Sequence, residues 1–245
     1  MTCIPFFLDR CVQIKYALFR RNLTEIRGTP VYSYERKIYL LLLLALIGII
    51  IAGLATDGIS DSIRGFLHLQ TMAARLINDF TLVGGIGGAL LNAGLMGLLS
   101  LLLIKLSGVT LSGPTVAATL TIVGFSLFGK TPLNTVPIVC GVFLASKVAG
   151  KPFRSYILMA LFGTALGPLV SYLFVEAGLS GPLGILLGIV GGIVAGFVLP
   201  ALAMAMLRMH EGFNLYNIGF TCGFFGLFAA SLLAAANHDI SVQIV

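Results

Sequence analysis

Residues 78–103 read NDFTLVGGIGGALLNAGLMGLLSLLL, and the reading of this stretch decides the fold. After Asp79 the chain continues for 25 residues without a charge, to Ile104, and stops at Lys105. At about 1.5 Å per residue that length crosses a hydrocarbon layer of about 30 Å. The stretch is therefore a membrane helix, but one with a weakened front end. Gly84, Gly85, Gly87 and Gly88 strip the side chains from one helical turn, so the backbone there either approaches a neighbour closely or unwinds. A fainter version recurs in residues 217–223, NIGFTCG, where Gly219 and Gly223 fall on Gly84 and Gly88 at an offset of 135.

The composition agrees with a membrane setting. The chain of 245 residues is 58% hydrophobic and only 10% charged, whereas a soluble domain carries about 25% charged residues. A net charge of +6 raises the question of nucleic acid. The basic residues, however, sit in gaps between apolar runs rather than on one face, so they report topology and no nucleic-acid partner is expected. Cys3, Cys11, Cys140 and Cys222 have neither CxxC nor Cys/His spacing, which leaves no disulfide frame and no metal site. No cofactor is expected: the run 84–88 lies inside a lipid-length apolar segment with no strand before it, so it is not a dinucleotide fingerprint.

Seven spans follow from the apolar runs: 38–55, 80–104, 111–128, 132–146, 155–174, 182–207 and 218–236. The expected fold is an all-α polytopic transmembrane helical bundle whose partner is the lipid bilayer. Residues 1–37 form a cationic amphipathic tail, and 56–78 a half-polar interfacial segment. With the amino terminus cytoplasmic and the spans alternating, 12 of the Lys and Arg fall inside and 3 outside, the latter being Arg64, Arg75 and Lys130. The carboxyl terminus then faces out. A re-entrant hairpin over 111–146 is not expected, because it would carry Lys130 to mid-membrane at about 2.5–3.5 kcal/mol on insertion scales.

Five spans separate the helix starting at Phe80 from the one starting at Ile218. An odd number means that the two run in opposite directions, the mark of an inverted repeat. The first copy occupies 38–178, and the second, 182–245, holds only its beginning. The chain is accordingly expected to be truncated, or completed by a second chain or another copy in a homo-oligomer.

The Gly- and Pro-interrupted segments point to broken helices facing a solute. A pathway for a small polar solute would be lined by Asn92, Thr115, Thr119, Asn134, Thr135, Asn214 and Asn217, with backbone freed at Pro114 and at Gly84, Gly88, Gly219 and Gly223. Asp79, Glu176, Glu211 and Asp239 all fall at span ends. With no carboxylate inside a span, a transporter or channel would work without a proton relay. A membrane enzyme is the alternative, yet there is no HExxH, GxSxG or P-loop. His210 and Glu211, adjacent on a helix, point about 100° apart. No catalytic residue is assigned.

The runs NDFTLVGGIGGALLNAG, FGKTPLNTVPIVCGVFLASKVAGKPFRSY, LFGTALGPLVS and HEGFNLYNIGFTCGFFG together resemble an uncharacterised family of bacterial multi-pass membrane proteins, a domain of unknown function. The resemblance implies the inner membrane of a bacterium, and it brings no activity with it. A fainter one is to the urea transporters, which use two inverted halves of five spans. Residues 80–84, FTLVG, with Gly212-Phe213-Asn214 and Asn217, are similar to their GYNGTLVG runs, and Thr131-Pro132-Leu133-Asn134 to their NPLSG.

Overall fold

The computed structural model describes residues 30–72, 78–175, 181–214 and 216–236. Most of the expected cationic tail, together with Arg75, Glu176 and residues 237–245, lies outside these. The chain divides into two compact units, Met1–Leu42 and Leu43–Val245, and the helical bundle is the second of them.

Among the described residues there are helices and no strand. In chain order they are α1 (Pro30–Asp57), α2 (Ile59–Thr71), α3 (Phe80–Leu106), α4 (Gly113–Phe125) and α5 (Pro132–Val148). A broken span, Phe153–Val175, comes next, with α6 (Ile157–Gly163) and α7 (Gly167–Val175) joined through a tighter turn at Thr164–Leu166. Then come α8 (Pro182–Met209) and α9 (Asn217–Ala235). Among the described residues five segments are long and apolar enough to cross a membrane: Tyr34–Asp57 within α1, α3, Phe153–Val175, α8 and α9.

The glycine turn of α3 does both things that its composition allows. Gly85 takes φ 73°, a left-handed conformation that breaks the helix. The restarted helix needs acceptors for its first amides, and Asp57 supplies one, its Oδ2 accepting from Gly87 N at 2.6 Å. Close approach occurs on the same turn. A Cβ on Gly84 would lie 2.7 Å from Leu69, one on Gly88 2.8 Å from the carbonyl carbon of Gly65, and one on Gly65 would collide with the Gly84 carbonyl oxygen. Residues 59–71, expected at the interface, thus lay one face of α2 on these glycines and leave Ile59, Ile63 and Leu67 exposed. At the helix start, Asp79 accepts from Thr81 Oγ1 at 2.6 Å and from Thr81 N at 2.8 Å, and these bonds hold its carboxyl below the ordinary range.

The two remaining expected spans are too short to cross alone. α4 has 13 residues and α5 has 17, about 20 and 26 Å against about 30 Å needed. They form a hairpin. Met96 and Ile104 of α3 cluster with Ala118 and Ile122 of α4, and Asn92 bonds to Ser126 just past the end of α4, so α4 runs back along α3 as far as Asn92. α5 returns: Thr135 meets Met96 near the tip, while Phe143 stacks edge-on with Phe153, which lies with Leu103 and Leu106 at the base.

Here the sequence expectation is corrected. Lys130 is not in an outer loop but is 3% exposed at the hairpin tip. Charge counting could not detect this, because removing two crossings leaves the parity of every other gap unchanged. The insertion cost does not apply either, since it describes a lysine facing lipid, whereas this one is enclosed by protein.

The remaining helices fix relative directions. Phe153 lies at the Leu106 end of α3, so Phe153–Val175 runs opposite to α3. Leu199 meets Gly163 and Phe174 meets Gly188, which makes α8 antiparallel to that span. Asn217 bonds to Ala203 and Cys222 lies at Phe162, so α9 reverses α8. α9 therefore runs opposite to α3.

Two measurements check this fold. Gly65→Ala should lower stability by about 1–3 kcal/mol through overpacking, whereas Gly124→Ala, with nothing within 4 Å of the added Cβ, should leave it unchanged or slightly raised. Thermal unfolding in detergent distinguishes them. In a variant lacking the native cysteines, Ser107→Cys and Lys151→Cys should react with an impermeant maleimide from one side of the membrane. Lys130→Cys should react from neither until the protein is denatured; labelling from the opposite side would restore two separate spans.

Candidate functional site

The hairpin tip places non-helical backbone inside the bundle, and the local sequence is built for it. Thr131, Pro132 and Asn134 start α5 with reciprocal caps: Asn134 Oδ1 accepts from Thr131 N at 2.9 Å, and Thr131 Oγ1 from Asn134 N at 3.4 Å. Asn134 Nδ2 then donates to Gly129 O at 2.8 Å and to Ser171 Oγ at 2.9 Å. From the other side, Asn92 Nδ2 donates to Ser126 O at 2.7 Å and Lys130 O at 2.8 Å. Both asparagines are fully buried. Asn92 Oδ1 is buried with no partner among the described residues.

Lys130 Nζ donates to Thr164 Oγ1 at 3.0 Å and lies 5.1 Å from the centre of the Phe125 ring. Thr164 passes its own proton to Leu161 O at 2.6 Å, where the span tightens. Among the described residues no carboxylate pairs with Lys130. Depth is read from the helices beside it: Asn92 lies in the part of α3 that restarts after the break at Gly85, and Thr164 is residue 12 of the 23 in Phe153–Val175. The ammonium thus sits inside the bundle, beside the middle of Phe153–Val175.

Beside it opens a cavity of about 630 Å³. The hairpin contributes Phe125, Phe128 and Lys130, the broken span Leu166, Leu169 and Tyr172, and α9 Gly219, Cys222 and Gly223. A Cβ on Gly223 would meet nothing within 4 Å.

The twelve residues proposed from sequence are not one cluster. Asn92, Asn134 and Thr135 gather at the tip, and Gly219 and Gly223 line the cavity. Gly84 and Gly88 lie under α2. Pro114 opens α4 in an exposed position; Thr115 bonds to Ser112 N at 2.8 Å, and Thr119 bonds back to Thr115 O at 3.0 Å, so these three belong to the outer limb. Asn214 and Asn217 form the α8–α9 corner around His210: Asn214 N donates to Nδ1 at 3.3 Å, leaving Nε2 to donate to Asn217 Oδ1 at 2.8 Å. Sequence reasoning passed over Lys130, Thr164 and Ser171. The available signal was a lysine framed by two apolar segments each too short to span.

Fold and site together define an α-helical membrane protein with a hairpin that ends on a buried lysine. The family described as "Protein of unknown function (DUF1576)" matches residues 58–235, and the chain belongs to that family. No curated protein and no solved structure matches it.

Asn134→Leu should cost about 2–4 kcal/mol, because the carbonyl of Gly129 and the amide of Thr131 lose buried partners. Thr119→Val, which loses only a bond within its own helix, should cost under about 1.5 kcal/mol. Unfolding midpoints of the two variants compare directly.

Proposed function

We propose that this protein moves a small polar solute across the membrane, as a transporter or channel, along a route past the tip of the α4–α5 hairpin. The observation that carries the reading is the buried polar tip inside the bundle, level with the middle of Phe153–Val175 and next to an open cavity. Non-helical backbone at that depth is tolerated where protein encloses it or where it borders a cavity, the usual construction of solute sites in secondary transporters. The opposed directions of α3 and α9 support an inverted relation between the two glycine helices. Their surroundings differ, since α2 covers Gly84 and Gly88 while Gly219 and Gly223 stay open. Lys105, Lys147, Lys151 and Arg154 lie after the spans and limbs that end at the hairpin base, which by the positive-inside rule makes that end cytoplasmic. Among the described residues no carboxylate pairs with Lys130, so coupling to a proton gradient is not part of the proposal.

Flux into liposomes holding the purified protein tests it. Solute uptake should proceed without a pH gradient. Gly223→Leu, which fills the cavity without a clash, should reduce flux at least tenfold while the unfolding midpoint holds. Gly124→Leu should not. A strict need for a pH gradient, or equal flux through both variants, would falsify the route.

A further inference from the structure

Lys130 is a cation enclosed inside the bundle, beside the middle of Phe153–Val175, with too few partners. Its ammonium has three donors; among the described residues Thr164 Oγ1 accepts one, the Phe125 ring face lies against it, and the Cys222 thiol lines the same cavity. Burying an ammonium costs several kcal/mol unless charge and donors are compensated. The next helix adds to the positive field, because α5 begins at Pro132, so its amino-terminal end lies against the same turn. That end offers field rather than free donors: Asn134 N is capped by Thr131, and Leu133 N reaches Gln70 Oε1 at 3.4 Å. What the site lacks is a negative charge.

The cavity indicates what kind of molecule brings it. Among the described residues Lys130 is the one charged residue of its lining, and the other walls are aromatic and aliphatic side chains, the Cys222 thiol and glycine backbone. At about 630 Å³ the space is of ligand size. An inorganic anion would leave most of it unfilled, and a neutral polar solute would leave the ammonium uncompensated.

We propose that the cavity binds an organic anion with an apolar body, its charged group at Lys130 and its body between Leu169, Tyr172 and the glycine face of α9. The inference rests on the solute route above and specifies its substrate class. The same chemistry is offered by a free carboxylate and by an anionic lipid.

The test is thermal unfolding of the purified full chain in a neutral detergent, with benzoate, its neutral analogue benzamide, phosphatidylglycerol or phosphatidylcholine added. Benzoate at ten times its Kd should raise the midpoint by about 3–6 °C, and benzamide should not. Lys130→Met replaces the buried charge with an apolar chain of similar length and should fold with a midpoint at or above that of the unmodified protein. It should lose the benzoate response, as should Gly223→Leu, in which the cavity is filled and Lys130 retained. A response to phosphatidylglycerol alone, absent with phosphatidylcholine and lost in Lys130→Met, supports the anion site with lipid as its occupant. Equal shifts with benzoate and benzamide, or shifts that persist in both variants, overturn the proposal. Because the readout is binding, an anion response without liposome flux would remove the transport reading and leave the anion site standing.

Discussion

Backbone carbonyls without donors are costly inside a membrane, several kcal/mol each, and the turn between α4 and α5 presents a run of them inside the bundle. Every other feature of the centre can be traced to their satisfaction. Ser126 O and Lys130 O take the two amide protons of Asn92, Gly129 O takes one from Asn134, and Leu127 O accepts from Phe80 N at 3.1 Å. The last donor is an orphan amide from the first turn of α3, a group that its own helix cannot pair. The hairpin therefore requires α3 on one side and its own second limb on the other. Asparagine is suited to both positions because a single side chain carries two donors and an acceptor.

That arrangement depends on helices approaching more closely than ordinary side chains allow. α2 rests on Gly84 and Gly88, and α8 on α5, where Gly196 faces Ile138 O and Gly141 faces Ile193 O. In lipid there is no hydrophobic force between apolar helices, so contact area and backbone proximity hold them together. The break at Gly85 arises from the same composition, and Asp57 closes it by accepting the amide that the break releases.

The turn has two unlike sides. Towards α3 its polar groups are paired, apart from Asn92 Oδ1, which gives a rigid floor. Towards α9 it borders open space, and there the Lys130 ammonium is the one charged group among the described residues. A rigid, polar floor under an open apolar chamber separates the residues that hold the hairpin from the surface that a ligand can reach.

The sequence by itself determined the helical membrane class, the five long spans among the seven expected, and the close-packing glycines, because each comes from local length, hydropathy or small-residue spacing. It also carried the opposed direction of α3 and α9, since an odd number of crossings survives the loss of two. Only the tertiary structure decided that residues 113–148 enter and leave at one end, because a short span and a hairpin limb have the same composition and the same charge parity. It alone separated Asn92 and Asn134, which hold the tip, from Asn214 and Asn217, which brace a distant corner, since that distinction is one of position in space. The meaning of Lys130 was decided there as well. A lysine between two apolar runs reads as a loop residue until Thr164, 34 residues further along, is found beside it.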